Sequence, residues 1–288
     1  MKLTGGGRRL ASRLEQAFKS VWRDYRLAFK GSQKKLSRTT VHQLRVKTRR
    51  LLAFVDLADP LLAGKVADGI SRLIKEPFKT SGRLRDAQVM RDDVEGRLRR
   101  FPGAKRFRKE LWRREKRLRR QLERNFRRTR LKPLKRRMDA LGKELRAAAG
   151  KMGGRRALAC LVSGVDRAFA GVVTRQRGPS ASRPQALHRT RIAFKKFRYM
   201  AEQLRPLIPQ KAGVPPGKLR SYQKLMGDIQ DCETLMAALD KFMRQEKSEA
   251  PRLRPFHAAV RRDHNALLAR YQRRADELYT FWKPMVAG

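Results

Sequence analysis

The chain has 288 residues, 73 of them Lys or Arg against 26 Asp or Glu, for a formal net charge of +47. Self-repulsion at that charge calls for counter-ions or an anionic partner, which narrows the partners to nucleic acid, an anionic membrane surface or another polyanion. With 40% hydrophobic residues the chain is too apolar for a disordered basic tail, and it is long enough to bury a core as one or two domains.

Arg, Lys, Leu, Ala and Glu dominate and are strong helix formers, while strand signals are weak, so an all-α fold is predicted. A first helix is expected over 8–30, with Leu10, Leu14, Phe18, Val21, Trp22 and Tyr25 on one face and Gly31-Ser32 at its end. Residues 37–40 supply N-cap candidates for a second helix over 39–58, stopped by Asp59-Pro60. A third helix begins near Leu61, bends around 77–82 and continues to Arg100. Phe101-Pro102-Gly103 marks a turn. A long basic helix follows from Ala104, interrupted near Pro133 and ending by Gly150. The glycine-rich stretch 150–154 is the expected joint between two halves, 1–150 and 151–288. The second half repeats the order: a helix over 155–177, a loop over 178–184, and a helix ending near Pro206 or Pro209. A third helix then runs from Lys218 to about Gln245, and a last one over 251–282. Four helices per half with short connections predict two antiparallel four-helix bundles.

Two motifs recur at the period of this division. His42-Gln43-Leu44-Arg45-Val46-Lys47-Thr48-Arg49-Arg50 returns 146 residues later as His188-Arg189-Thr190-Arg191-Ile192-Ala193-Phe194-Lys195-Lys196, sharing H-x-x-R-[VI]-x-x-[RK]-[RK]. Gly82-Arg83-Leu84-Arg85-Asp86 returns 145 residues later as Gly227-Asp228-Ile229-Gln230-Asp231. Lys79 and Lys224 stand three residues before each glycine, Lys75 and Arg220 seven before. Positions i, i+3 and i+7 share a helix face, so His42, Arg45 and Arg49 form one row, and His188, Arg191 and Lys195 another, with Arg198 extending it. Cations one turn apart match successive phosphates of an extended polyanion, and Arg adds bidentate geometry. A single basic helix face is usually just solvated. A histidine kept at the same register in both halves favours a site instead. Within the second motif the glycines are expected to permit close packing and the aspartates to hold Arg45 and Arg191, while the lysines join the row.

Other chemistries lack their parts. No phosphate-binding P-loop, nucleophile elbow or H-E-x-x-H is present, and carboxylates for Mg²⁺ are scarce, so no enzyme activity, cofactor or metal is expected. Cys160 and Cys232 lack ligand spacing and read as small buried apolar residues; His257 and His264, seven apart, could extend an anion site from the last helix but read more simply as surface or packing histidines. No apolar run reaches about 18 residues and no signal-peptide core is seen, so a soluble, cytoplasmic protein without membrane insertion is expected. Nucleic acid is the rival ligand, because counterion release rewards any polyanion. The aromatics considered, Phe18, Trp22, Phe194 and Phe197, fall on core stripes rather than stacking platforms. The basic segment 105–137 still offers a surface for nucleic acid, and equally one that grips the same polyanion as the two rows or docks on a larger anionic assembly.

These residues resemble the CHAD family (conserved histidine α-helical domain). Residues 41–51 look like its first signature, 187–199 like its second, and the two G-x-x-x-D segments fit in order and spacing. The resemblance implies two four-helix bundles related by a pseudo-two-fold axis. It also implies a basic surface or channel that binds inorganic polyphosphate, at polyphosphate granules and among granule-associated proteins. The E-x-E-x-K motif of the triphosphate tunnel domain carried by many relatives does not occur here, so that activity is not transferred. Leu52 stands where the second copy has Arg198, which shortens the first row. The binding set is therefore His42, Arg45, Arg49, Arg50, Lys75, Lys79, His188, Arg191, Lys195, Lys196, Arg198, Arg220 and Lys224.

Overall fold

A computed structural model describes residues 4–62, 67–177, 184–208 and 216–283. Residues 178–183 of the loop expected over 178–184, the segment 209–215 and the Lys75 side chain lie outside that description. Among the described residues every regular element is helical: α1 Thr4–Lys34, α2 Arg38–Ala58, α3 Ala67–Arg97, α4 Lys105–Arg128, α5 Lys132–Met152, α6 Gly154–Arg177, α7 Pro184–Leu204, α8 Pro216–Gln245 and α9 Ala250–Arg273.

Local chemistry sets several boundaries. Ser37 caps α2, its hydroxyl accepting from the Thr40 N–H at 3.1 Å while Thr40 Oγ1 accepts from the Ser37 N–H at 2.8 Å. The long basic helix expected after Ala104 is two helices, so among the described residues the first half holds five α-helices rather than four. Thr129 leaves helical geometry at ψ 116, and Pro133 falls in the first turn of α5, where its missing N–H costs nothing. Gly153, at φ +79, separates α5 from α6 at the expected joint. The last helix ends at Arg273 instead of running to 282. A six-residue 3₁₀ turn, Ala275–Thr280, then folds Leu278, Phe281 and Trp282 into the core, and Trp282 Nε1 donates to Asp166 at 2.6 Å.

The elements repeat with the sequence motifs. The α2 and α7 helices are each 21 residues long and run into 3₁₀ turns, Asp59–Leu61 and Arg205–Leu207. The α4 and α9 helices are each 24 residues long and follow 3₁₀ turns, Pro102–Ala104 and Lys247–Glu249. Packing, however, is not divided into one bundle per half. A large core joins α1, α2, α5, α6 and α7 with parts of α3 and α8. A smaller one joins Met90 and Val94 of α3, Phe107 and Leu111 of α4, Leu235, Leu239 and Phe242 of α8, and Leu253, Phe256 and Val260 of α9. Both cores draw on both halves, because the apolar stripes of α2 and α7 face each other and those of α3 and α8 follow. By length and composition α6 would suffice to cross a membrane, contrary to the sequence-stretch expectation. In this fold Ala157, Leu161, Val165, Phe169 and Val172 bury its apolar face.

Candidate functional site

The two histidine helices pack against each other, with α3 on the flank of α2 and α8 on that of α7. Core burial of Val41, Leu44, Thr48 and Leu51 on α2, and of Leu187, Thr190, Phe194 and Phe197 on α7, fixes the rotation of each helix. The neighbouring stripes, Arg45 and Arg49 on one helix and Arg191 and Lys195 on the other, are then half-buried at one four-helix junction. The two rows therefore meet in one centre.

The charges feel one another across that centre. Burial, reinforced by Arg49, Arg191 and Arg45, pushes the Lys195 ammonium down to about 6. Burial, with Arg49, Arg85 and Arg191 adding to it, lowers Arg45 to about 10 despite nearby Asp86. Arg191 is lowered chiefly by burial, against the pull of Asp231 and Asp86, and its Nε is enclosed with no hydrogen-bond partner. Asp231 presents an exposed residue surface, yet desolvation within the junction raises its pKa, with Asp228 and Asp86 opposing its ionisation. His42 is lowered by partial burial and by Arg85, Arg49 and Arg45. His188 Nδ1 is hydrogen-bonded to Gln230 Oε1, which orients its ring.

Both G-x-[LI]-x-D segments enter the same junction. A Cβ at Gly82 would lie 3.1 Å from Arg45 Nη1, so the glycine makes room for that guanidinium against α3. At Gly227 an added Cβ would meet nothing within 4 Å, so the packing reason does not extend to the second copy. Asp86 and Asp231 sit among the cations and favour the charged forms of Arg45 and Arg191. The sequence reading missed Arg85, which bears on His42 and Arg45; its counterpart Gln230 holds His188. Alignment of the two G-x-[LI]-x-D copies was the signal that could have found both.

Other predicted site residues lie elsewhere. Arg198 is a correction: it is 5% exposed, ion-paired with Glu202, donates to Gln223 Oε1 at 2.7 Å and stacks 4.0 Å over the Tyr199 ring. Those partners cover it from α7 and α8, so it braces the fold and does not extend the row. Arg198→Ala is expected to cost about 2–3 kcal/mol in urea unfolding, by removing a buried guanidinium and leaving the half-buried Glu202 carboxylate without its partner, with little change in anion affinity. Lys196 faces a different groove, 3.1 Å from Asp56 and beside Arg189. Arg50 follows Arg49 by one position, about 100° around the helix, and is half-buried with its Nε enclosed. Lys79, Arg220 and Lys224 are exposed on α3 and α8; Lys224 pairs with Asp228 at 2.6 Å, and Arg220 donates to the Pro216 carbonyl at 3.2 Å. His257 and His264 lie 3.0 Å from Asp240 and 3.5 Å from Glu233, linking α9 to α8, and Glu233 also bears on Arg191. Cys232 is buried and Cys160 half-buried, both as free thiols. Among the described residues no group of three or more His, Cys, Asp or Glu is arranged to hold a metal ion.

The family model of the CHAD domain matches residues 13–240. The fold is similar to a CHAD domain crystal structure from the plant Ricinus communis, at TM-score 0.63 and 19% identity over 94% of this chain and 89% of that one. It is similar also to PptA from Streptomyces chartreusis, at TM-score 0.64 and 17% identity over 94% of this chain and 99% of that one. None of the curated proteins compared matches the sequence.

Proposed function

Because the chain belongs to the CHAD domain family, we propose that its four-helix junction binds inorganic polyphosphate, as a binder and not a catalyst. One observation carries this reading. All four repeated motif segments converge on one half-buried centre where Arg45, Arg49, Arg85, Arg191 and Lys195 bear on one another with Asp86, Asp231 and Glu233 as the acids in that field. A phosphate chain relieves that mutual repulsion and supplies acceptors for the guanidinium forks. It carries no sugar or base, so it suits cations recessed between helices better than a bulkier nucleic acid does. His42 and His188 lie at the start of each row and add hydrogen bonds. Lys79, Arg220 and Lys224 guide the chain at the rim. The matched helix lengths support an internal duplication with a pseudo-two-fold relation between halves. Such a binder fits a cytoplasmic place on polyphosphate granules, among other granule proteins.

The test is competition at near-physiological salt. Labelled long-chain polyphosphate bound to the protein is challenged with single-stranded RNA, duplex DNA and heparin at matched charge. Polyphosphate is expected to survive all three. Ready displacement by RNA or DNA would make the junction a general polyanion site.

A further inference from the structure

A second basic surface lies on α4, outside the repeated motif segments. Lys105, Lys109, Trp112 and Lys116 follow one another at spacings of four, three and four, so they line one helical face. Of the three tryptophans, Trp22 and Trp282 are buried in the core, whereas Trp112 is 52% exposed. The Lys116 ammonium lies 5.1 Å from its ring centroid. Across from this face, Arg38 and Arg91 close a groove of about 830 Å³ against α3. Arg38 and Arg91 are held in place by acids: Arg38 is ion-paired with Asp92, and Arg91 Nη1 lies 2.6 Å from Glu115. Lys105 and Lys109 remain on the α4 wall with no ion pair among the described contacts.

An exposed indole costs a protein solubility and contributes nothing to this one's core. A basic groove alone needs no ring, because phosphates are satisfied by cations. A ring set in the middle of a cation row is what a base-bearing polyanion uses: phosphates follow the lysines and a base stacks on the indole. We infer that this groove binds single-stranded nucleic acid, with Trp112 as the stacking platform and Lys105, Lys109, Arg38 and Arg91 as the backbone contacts. The groove adjoins the junction at Arg38, which feels Arg85, while Lys105, Lys109 and Trp112 belong to none of the repeated motif segments.

Trp112 reports on itself, since it is the tryptophan that solvent reaches. Its fluorescence is followed while the full chain is titrated with short oligoadenylate, an abasic oligonucleotide of equal length, and polyphosphate, at matched phosphate concentration. Oligoadenylate is expected to quench, and the two base-free chains are not. By anisotropy of labelled oligoadenylate, Trp112→Ala should weaken binding about five- to a hundred-fold, and Trp112→Phe should retain most of it. Polyphosphate affinity and helicity should be unchanged in Trp112→Ala, whose side chain lies outside the core. Equal quenching by the abasic chain, no binding of oligoadenylate, or unaltered affinity in Trp112→Ala would each overturn the assignment.

Discussion

Replacing Arg49 and Lys195 together by methionine is expected to weaken polyphosphate binding about a hundred-fold or more while raising the unfolding temperature by several degrees. The two readouts move in opposite directions because one arrangement causes both. A hydrogen bond from a cation to a phosphate contributes about 1.5–3 kcal/mol, and the pair removes two such donors. In the free protein the Lys195 ammonium is a liability. Lys195 is half-buried beside Arg49, Arg191 and Arg45, and its ammonium gives up a proton far more readily than a free lysine. Methionine keeps the volume and removes the repulsion, and such replacements are commonly neutral or stabilising by about 1–4 kcal/mol. Thermal melts without ligand and titrations with labelled polyphosphate check the two halves of the expectation. A lower melting temperature would show that the cluster is a structural network. Unchanged affinity would remove the junction from the binding site.

The helices were legible in the sequence because apolar spacing records which face is buried. Ser37, Pro133 and Gly153 placed their boundaries by cap and φ chemistry that acts within a few residues. The repeated motifs identified Arg45, Arg49, Arg191 and Lys195 by register alone. Their meeting in one centre was not legible, because periodicity gives a helix its face and not the identity of its neighbour. Only the packing of α2 on α7, and of α3 and α8 beside them, turns two rows into one site. Arg198 failed for a related reason. It continues the row by spacing, but Glu202 on its own helix and Gln223 on α8 supply partners that make burial affordable. The cores do not follow the division into halves, since a sequence duplicated in tandem need not pack in tandem. Trp112 was passed over because its helix is so basic that the ring was lost among cations; its exposure is a property of the fold.

Polyphosphate affinity is expected to fall as pH rises above about 6, by up to tenfold per unit, because binding takes up a proton at Lys195. The groups facing that ammonium are Arg45 and Arg49 of α2, Arg191 of α7 and Asp231 of α8, and in the free protein burial with the three arginines holds its pKa at about 6. A bound phosphate chain favours the charged form and moves the pKa back toward the ordinary lysine range. Between the free and bound values, the complex carries a proton that the free protein lacks, so raising the pH opposes binding. His42, lowered by partial burial and by Arg85, Arg49 and Arg45, adds to the uptake near the acid end. Stability of the unliganded fold moves the other way. The unfolded chain binds more protons than the native one from about pH 6 up to the ordinary lysine value, so unfolding free energy rises with pH across that window. Calorimetry at pH 8 in two buffers of different ionisation heat measures the uptake, expected at close to one proton per site. Lys195→Arg should bind with the same order of affinity and take up almost none, since an arginine stays charged in both states. Zero uptake in the parent protein would mean that Lys195 never meets the phosphate chain, and the centre of the site would then have to be drawn around Arg45 and Arg191 alone.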